Sequence, residues 1–547
     1  MKEKKFINTD KKKLFFLVSS LFLTFILTIN FSVIVDYSKY TGDTYYIKLW
    51  YASIACIISV PFYLCLYEKV KIVCLKNKAA SICSIVLTIC FCSKLIQDTA
   101  RNMEAIKYAA YSLGLAESVS NNLSVWLSVA CVITVFAGYK IIYYIVAHLI
   151  KFIQSIVFDM DKIEIFFLTV YLLFGLGLIS YFYSQVNGQW TGVDLVYQMD
   201  SGFMYSHYYP VFSFGYDFDW DIGNGGIRHP LATFFSYPIH LLSVIPIALL
   251  GMVRNIQGIM YAFFQTVIIA FSGIFLERIT RNKWTLLIYG LSFPSVFFCV
   301  FLEKYPLAVI FLLIFTVKTL RKEDNGMALM AAGGMTITSC FLGFFYGKSN
   351  KFAERIKEWV HIFFSFFATV VAAGRIHYII DYSYLSKQNN ICFFKVSSTS
   401  IIDRGKSFSN LILSCFIPLK SKVINGQYFW SDMQTKFSWL GYLIILILAY
   451  TIAFYWKNKE VQILGCWVLW ALIQVVITGF SSDASCVFGY YFSWAVIGLF
   501  MIGTNHLLHN KYLKCTTYLI LTVAMISLDY IQMREIFRYL LQTTPVS

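Results

Sequence analysis

The chain has 547 residues, of which 58% are apolar and only 14% charged, with a mean hydropathy of +0.66. Soluble domains carry about 25% charged residues, so a water-soluble fold of this size is excluded for want of polar side chains to cover it. The net charge of +16 does not mark a nucleic-acid binder. Lys and Arg fall in short clusters between apolar runs, at Lys2 to Lys13, Lys69 to Lys78, Arg278 to Lys283, Lys318 to Lys322 and Lys457 to Lys459, which is the positive-inside pattern of membrane topology.

Apolar runs of roughly 18 residues or more predict an all-α, polytopic transmembrane bundle of about 12–14 helices. The first run, Leu14 to about Val35, follows a Lys-rich end and has no small-residue cleavage site after it. It is expected to be a retained helix with a cytoplasmic N-terminus and not a signal peptide. Further runs near Leu49–Tyr67, Ala79–Leu95 and from Leu123 complete a four-helix unit over 1–160, closed by the polar break at Asp159, Asp161 and Lys162. The 14 Cys sit mostly inside apolar runs and form no paired C-x2-C pattern, so they read as small hydrophobes and not as a disulfide or metal framework.

A second segment, 161–380, opens with a fifth helix at about Ile163–Tyr183 that leads outward. The stretch that follows, 185–230, is the least membrane-like of the chain, rich in Asp, Gly and Tyr. Beyond it come an apolar segment from Leu231 to Val253, a helix at about Ile259–Leu276, and an outward helix from Trp284 to Phe301. A tight turn at Glu303-Lys304-Tyr305-Pro306 and a return helix to Lys318 follow. Gly326–Tyr346 and Trp359–Ile376 flank a basic stretch whose side conflicts with simple alternation, so one of the two is a candidate re-entrant segment. A polar outer loop is expected over 381–436. The remaining helices, over 437–547, are expected to start near Phe437, Val461, Val487 and Leu513.

The long loop carries the chemistry. Asp194, Asp200, Asp217, Asp219 and Asp221 lie within 28 positions, and the loop ends at Arg228-His229-Pro230-Leu231. Solvated loops also use Asp for turns and caps. This one, however, is long for a connector and interleaves its acids with Tyr and Trp, whose rings stack on sugars. Arg228 at a membrane boundary reads equally as a headgroup anchor, His229 as a helix cap, and Glu303 with Lys304 as a surface turn. His506 and His509, three residues apart beside Lys511, have no third ligand candidate nearby and read as loop residues.

An outward helix, an acidic first outer loop and a closing His-Pro-Leu element resemble the GT-C superfamily of membrane glycosyltransferases. The nearest branches are the protein O-mannosyltransferases and the lipid A aminoarabinose transferases. The resemblance covers about Ile163 to Lys322. It departs from the family pattern at Ser201, where the family has Glu, and at the single proline before Leu231-Ala232. It implies transfer of a sugar from a polyprenyl-phosphate donor to a glycan, lipid or protein acceptor at the outer face, in a multi-pass cell membrane protein. It further implies that Asp200 or Asp194 is the general base and that Arg228, His229, Lys304, Asp221 and Glu303 bind substrate or phosphate. No cofactor is expected, although the acid-rich loop has the chemistry to hold the divalent ion that some members use. The Lys- and Asn-rich composition points to a bacterial plasma membrane. Competing readings are a transporter or flippase of lipid-linked saccharides, which would place ionisable groups at the bilayer midplane, and a polysaccharide polymerase relying on outer-loop cations such as Arg404, Lys406, Lys420 and Lys422. A structural membrane scaffold is the plainest alternative. Because the apolar runs look clean of charge, surface chemistry is favoured over translocation.

Overall fold

A computed structural model describes residues 2–31, 44–71, 77–101, 122–185, 256–347, 351–380, 400–424, 428–431, 438–479 and 485–543, with isolated positions between 103 and 111 and between 229 and 242. Its helices in chain order are α1 (Lys2–Phe31), α2 (Thr44–Val70), α3 (Lys78–Arg101), α4 (Leu123–Phe158), α5 (Lys162–Gln185), α6 (Ile256–Thr280), α7 (Trp284–Gly290) and α8 (Phe293–Phe298). They continue with α9 (Tyr305–Leu320), α10 (Gly326–Met335), α11 (Phe352–Ala372), α12 (Ile401–Ser414), α13 (Ser438–Tyr455), α14 (Lys459–Leu472), α15 (Ser485–Leu507) and α16 (Lys511–Thr543). The strands β1 (Ser421–Ile424) and β2 (Tyr428–Ser431) form a short antiparallel hairpin, with Ser421 opposite Ser431.

Among the described residues, eight helices are long and apolar enough to cross a membrane, and α9, α10 and the Trp439–Tyr455 stretch of α13 are shorter apolar helices. Their outer faces carry large exposed apolar side chains, such as Phe166 and Leu173 on α5, Leu446 and Phe454 on α13, and Ile520 and Val523 on α16. A water-soluble protein does not leave contiguous apolar surface on this scale. The molecule is an all-α helical chain with the surface of a multi-pass membrane protein.

The residues divide into two compact units. The first comprises Met1–Met160, Val211–Leu231 and Phe363–Asn389; the second comprises Asp161–Pro210, Ala232–Ile362 and Asn390–Ser547. The first unit therefore extends beyond the expected 1–160 segment, and the 381–436 and 437–547 stretches belong mostly to the second. In the first unit α1 is the centre. Ser19 donates to the Ile133 carbonyl of α4 at 2.5 Å and accepts from the Ala137 amide at 3.1 Å, and Thr24 bonds the Tyr63 hydroxyl of α2 at 2.7 Å. Phe16, Tyr63, Tyr67, Ala137 and Ala372 pack around these bonds. Gly374, with φ of +82°, lets the chain pass the α1 backbone, since a Cβ there would lie 2.6 Å from the Leu27 carbonyl.

In the second unit α5 begins with a reciprocal cap. The Glu164 amide donates to Asp161 Oδ1 at 2.8 Å and the Asp161 amide donates to Glu164 Oε2 at 2.9 Å. Arg278, in the last turn of α6, grips both Glu164 oxygens at 3.0 and 3.1 Å. Lys283 reaches Asp161 at 2.5 Å and Glu277 at 3.2 Å. These charges mark one edge of the unit, the basic edge.

The expected outward helix from Trp284 to Phe301 is not continuous. It breaks at Leu291 and Ser292 into α7 and α8, because Pro294 has no amide to donate back into α7 and instead occupies the first turn of a new helix. The Phe293 amide finds its acceptor in the Phe416 carbonyl at 3.0 Å. Gly326–Tyr346 also breaks, into α10 and a 3-10 segment from Ile337 to Phe345. Such breaks are one reason why fewer full-length spans stand among the described residues than the apolar runs suggested. The expected polar loop contains α12, capped by Ser400, whose Oγ accepts from the Asp403 amide at 3.1 Å, and buried from Phe408 to Ser414.

Candidate functional site

Glu303 and Lys304 stand between α8 and α9, and they do not form the surface turn that one reading of the sequence allowed. Their side chains are 2% and 1% exposed. Lys304 immediately precedes α9, whose first turn holds Pro306 where no amide is needed. The Lys304 amide donates to Glu303 Oε1 at 2.9 Å, and Lys304 Nζ lies 3.7 Å from the same oxygen. The acid therefore sits against the amide-rich start of a helix, where negative charge is stabilised.

Gln265 of α6 fastens this turn. Its Nε2 donates to the carbonyls of Phe298 and Phe301, at 2.5 and 2.6 Å, and its Oε1 accepts from the Glu303 amide at 3.1 Å. One side chain thus serves carbonyls left over at the end of α8 together with the donor that begins the next turn. Gln265 lies thirteen residues before Arg278, so at 1.5 Å per residue the turn is about 20 Å from the basic edge. That is about two thirds of the way across a hydrocarbon layer of about 30 Å.

Aromatic side chains wall the turn. Tyr305 packs on Phe488 and Tyr491 at ring distances of 6.0 and 5.7 Å, and Phe301 stacks on Phe297 at 4.3 Å. The Tyr491 hydroxyl is bonded to Ser339 at 2.7 Å and Thr338 at 3.0 Å, and its carbonyl accepts from Trp467 Nε1 at 3.1 Å. The Tyr491 ring is thereby fixed in orientation by polar bonds at its hydroxyl.

His229 is buried at the bend before Pro230 and Leu231. Six residues on, Phe235 packs on Phe311 of α9 at 5.2 Å. Asp194, Asp200, Asp221 and Arg228 lie outside the described residues, as do Asp217 and Asp219. Of the outer-loop cations, Arg404 is committed to structure: its Nη1 donates to the carbonyls of Val476 and Ile477, at 2.8 and 3.3 Å, where α14 ends in a π turn. His506 stacks on Tyr455 at 4.1 Å. Among the described residues no group of three His, Cys, Asp or Glu could hold a metal ion.

Among the buried polar residues that the sequence reading did not single out, two stand in apolar helices of the second unit. Gln265 is one, a lone amide in an apolar run. Asp529 of α16 is the other, 4% exposed inside a helix long enough to span a membrane. The apolar runs are therefore not clean of charge. No protein-family model, curated protein or solved structure matches this chain.

Proposed function

We propose that this chain is a membrane glycosyltransferase that moves a sugar from a polyprenyl-phosphate donor to an acceptor on the side of the bilayer opposite the basic edge. The observation that carries the reading is the ammonium of Lys304. It is buried and adjacent to Glu303, in the turn whose backbone the Gln265 side chain clamps, at a depth that a lipid-borne phosphate reaches from within the bilayer.

An acceptor hydroxyl is a weak nucleophile, and a carboxylate must take its proton as the new C–O bond forms. Asp200, or Asp194, is assigned this role. As the glycosidic C–O bond to the phosphate breaks, negative charge grows on the departing oxygen. A preorganised cation in a water-poor site stabilises that charge far more than one in water. Lys304 is assigned to it, with Arg228 as a bidentate grip and His229, Asp221 and Glu303 positioning the headgroup and sugar. The aromatic wall of Tyr305, Phe488 and Tyr491 supplies faces for a sugar ring.

The test is a substitution series in membranes with matched expression, reading transfer of labelled sugar from polyprenyl-phosphate donors. D200N or D194N is expected to lower transfer by about 100-fold or more, the usual worth of a general base. If both single variants and the double variant transfer at the wild-type rate, the reading is wrong. Asp529 favours a second reading, a transporter of lipid-linked saccharides, because buried ionisable groups inside spans mark translocation paths. That reading predicts uptake of such lipids into the lumen of proteoliposomes without cleavage of the sugar-phosphate bond.

A further inference from the structure

Asp529 lies eleven residues beyond Tyr518, whose hydroxyl accepts from Asn282 Nδ2 at 3.2 Å at the basic edge. At 1.5 Å per residue it stands about 16 Å into the span, near the middle of a hydrocarbon layer of about 30 Å. Neither carboxyl oxygen has a hydrogen-bond partner among the described residues.

Among the described residues, the helices packed against it offer no counter-charge. The helix carrying Asp529 packs on α5, α7 and α8; farther along, its Gln532 and Glu535 bond Ser421 of β1, beside the exposed Lys420 and half-buried Lys422. From Ile165 to Gln185, and throughout α7 and α8, no residue is Asp, Glu, Lys, Arg or His. Among the described residues, the ionisable groups on this side are Tyr171 of α5, which lies within electrostatic reach of Asp529, Tyr289 of α7 and Cys299 just after α8, with Tyr181 and Tyr183 toward the far end of α5. On its own helix the nearest charged residues are Arg534 and Glu535 on one side and Lys514 on the other.

What the three helices do offer is a row of hydroxyls at the α7–α8 break. Tyr171 bonds Cys299 Sγ at 3.3 Å and donates to the Ser295 carbonyl at 3.4 Å; Ser292 donates to Ser295 Oγ at 2.9 Å. Farther along, Tyr289 donates to the Tyr490 hydroxyl at 3.0 Å. Interrupted helices beside an ionisable residue are how membrane proteins build ion sites within the bilayer.

The geometry points to Asp529 as a proton-binding site in the middle of the membrane portion of the second unit, with the Tyr171 hydroxyl as the neighbouring polar group. An ionised carboxylate with no donor and no cation in an apolar layer is too costly to persist. The proton-bearing form is neutral and suits the site. This inference rests on neither reading of the protein's chemistry, since it concerns a charge on the chain and not a sugar.

The test is labelling by a hydrophobic carbodiimide, which reaches carboxyl groups from the lipid. The acid O–H adds across one C=N bond to give an O-acylisourea. Acyl migration to nitrogen then leaves a stable N-acylurea, so the peptide gains the whole reagent and nothing leaves. Only the protonated carboxyl starts this reaction. With full-length protein in lipid vesicles at neutral pH, peptide mapping of the wild-type chain is expected to place the adduct on Asp529. Labelling of that peptide should fall more than tenfold in D529N and persist in D529E. Mapping on the wild type does not depend on how D529N folds. The proposal is overturned if Asp529 stays unmodified at neutral pH and reacts only near pH 4, the range of an ordinary carboxyl. It is also overturned if Na⁺ or K⁺ at constant pH blocks labelling, which would make the site one for a metal cation.

Discussion

Glu303 and Asp529 are both buried carboxyl groups in the second unit, and they are accommodated in opposite ways. Glu303 has an amide donor at 2.9 Å, the Lys304 ammonium at 3.7 Å and a backbone held by Gln265. Asp529 has no hydrogen-bond partner among the described residues, and the helices packed against it bring tyrosine and serine hydroxyls and, from Ile165 onward, no charged residue. A charge taken from water must be compensated where it stands or be neutralised by a proton. The turn at Glu303 follows the first course and is suited to holding a charge ready for a charged ligand. The centre of α16 follows the second and is suited to gaining or losing one.

Breaking the first site should have the largest effect. Removing one member of a buried ion pair costs about 3–5 kcal/mol, because the other is left charged in an apolar setting. Lys304→Met is expected to lower stability by that much in thermal unfolding of the detergent-solubilised protein. Transfer per folded molecule should fall with it. If the variant melts with the wild type, the pair is not what compensates Glu303, and the contrast with Asp529 collapses.

The next effect belongs to the basic edge. Arg278 holds both oxygens of Glu164, whose side chain is 3% exposed. Hydrogen bonds to charged groups contribute about 1.5–3 kcal/mol, so Arg278→Met is expected to cost about that much in the same unfolding measurement. Asp529→Asn should cost less, about 1 kcal/mol or under. It exchanges one neutral polar group for another of nearly the same shape, provided that the carboxyl already carries its proton. A loss as large as that of Lys304→Met would mean that Asp529 is ionised and paired, erasing the difference between the two sites.

The sequence displayed one of these sites in part and hid the other. Glu303 and Lys304 stood out because they interrupt an apolar pattern between two helices, but nothing in that pattern separates a buried turn from a surface one. The deciding residue, Gln265, is 33 to 38 positions away from the groups it bonds and is a single amide in an apolar run. Asp529 was invisible for a related reason: one acid barely lowers the hydropathy of a window, and hydropathy does not tell which face of the helix meets protein. Helix starts were easier. Those expected near Phe437, Val461, Val487 and Leu513 fall at Ser438, Lys459, Ser485 and Lys511. Interruptions were harder, since Pro294 reads within an apolar run as a tolerated kink until its place in the first turn of α8 is seen. Ser400-Ile-Ile-Asp403 is a helix-start signal, but the polarity of the stretch around it matches a loop equally well. The acids that define the resemblance, Asp194 and Asp200, are outside the described residues, so the loop chemistry stands on sequence alone.

The smallest effect concerns an exposed pair, and it separates charge from geometry. Lys283, at 2.5 Å, holds the Asp161 carboxyl below its usual range, with the Glu164 amide adding to it. For Lys283 itself burial pulls the ammonium down, but its bonds to Asp161 and Glu277 more than reverse this and leave it above its usual range. A lowered acid contributes stability that is present above its unfolded value of about 3.9 and is lost as pH falls through the folded value. A raised base contributes stability that is present below its unfolded value of about 10.4 and is lost as pH rises through the folded value. Both side chains are more than a third exposed, so the Asp161 share is a fraction of 1 kcal/mol after screening by solvent. Asp161→Asn keeps an oxygen to cap α5 and removes only the charge. At neutral pH and low salt the variant should melt slightly below the wild type, and below about pH 3.9 the two curves should converge. Curves that stay apart in acid would show that Asp161 acts through its cap and not its charge. The edge would then have no electrostatic part in the contrast between the two buried carboxyls.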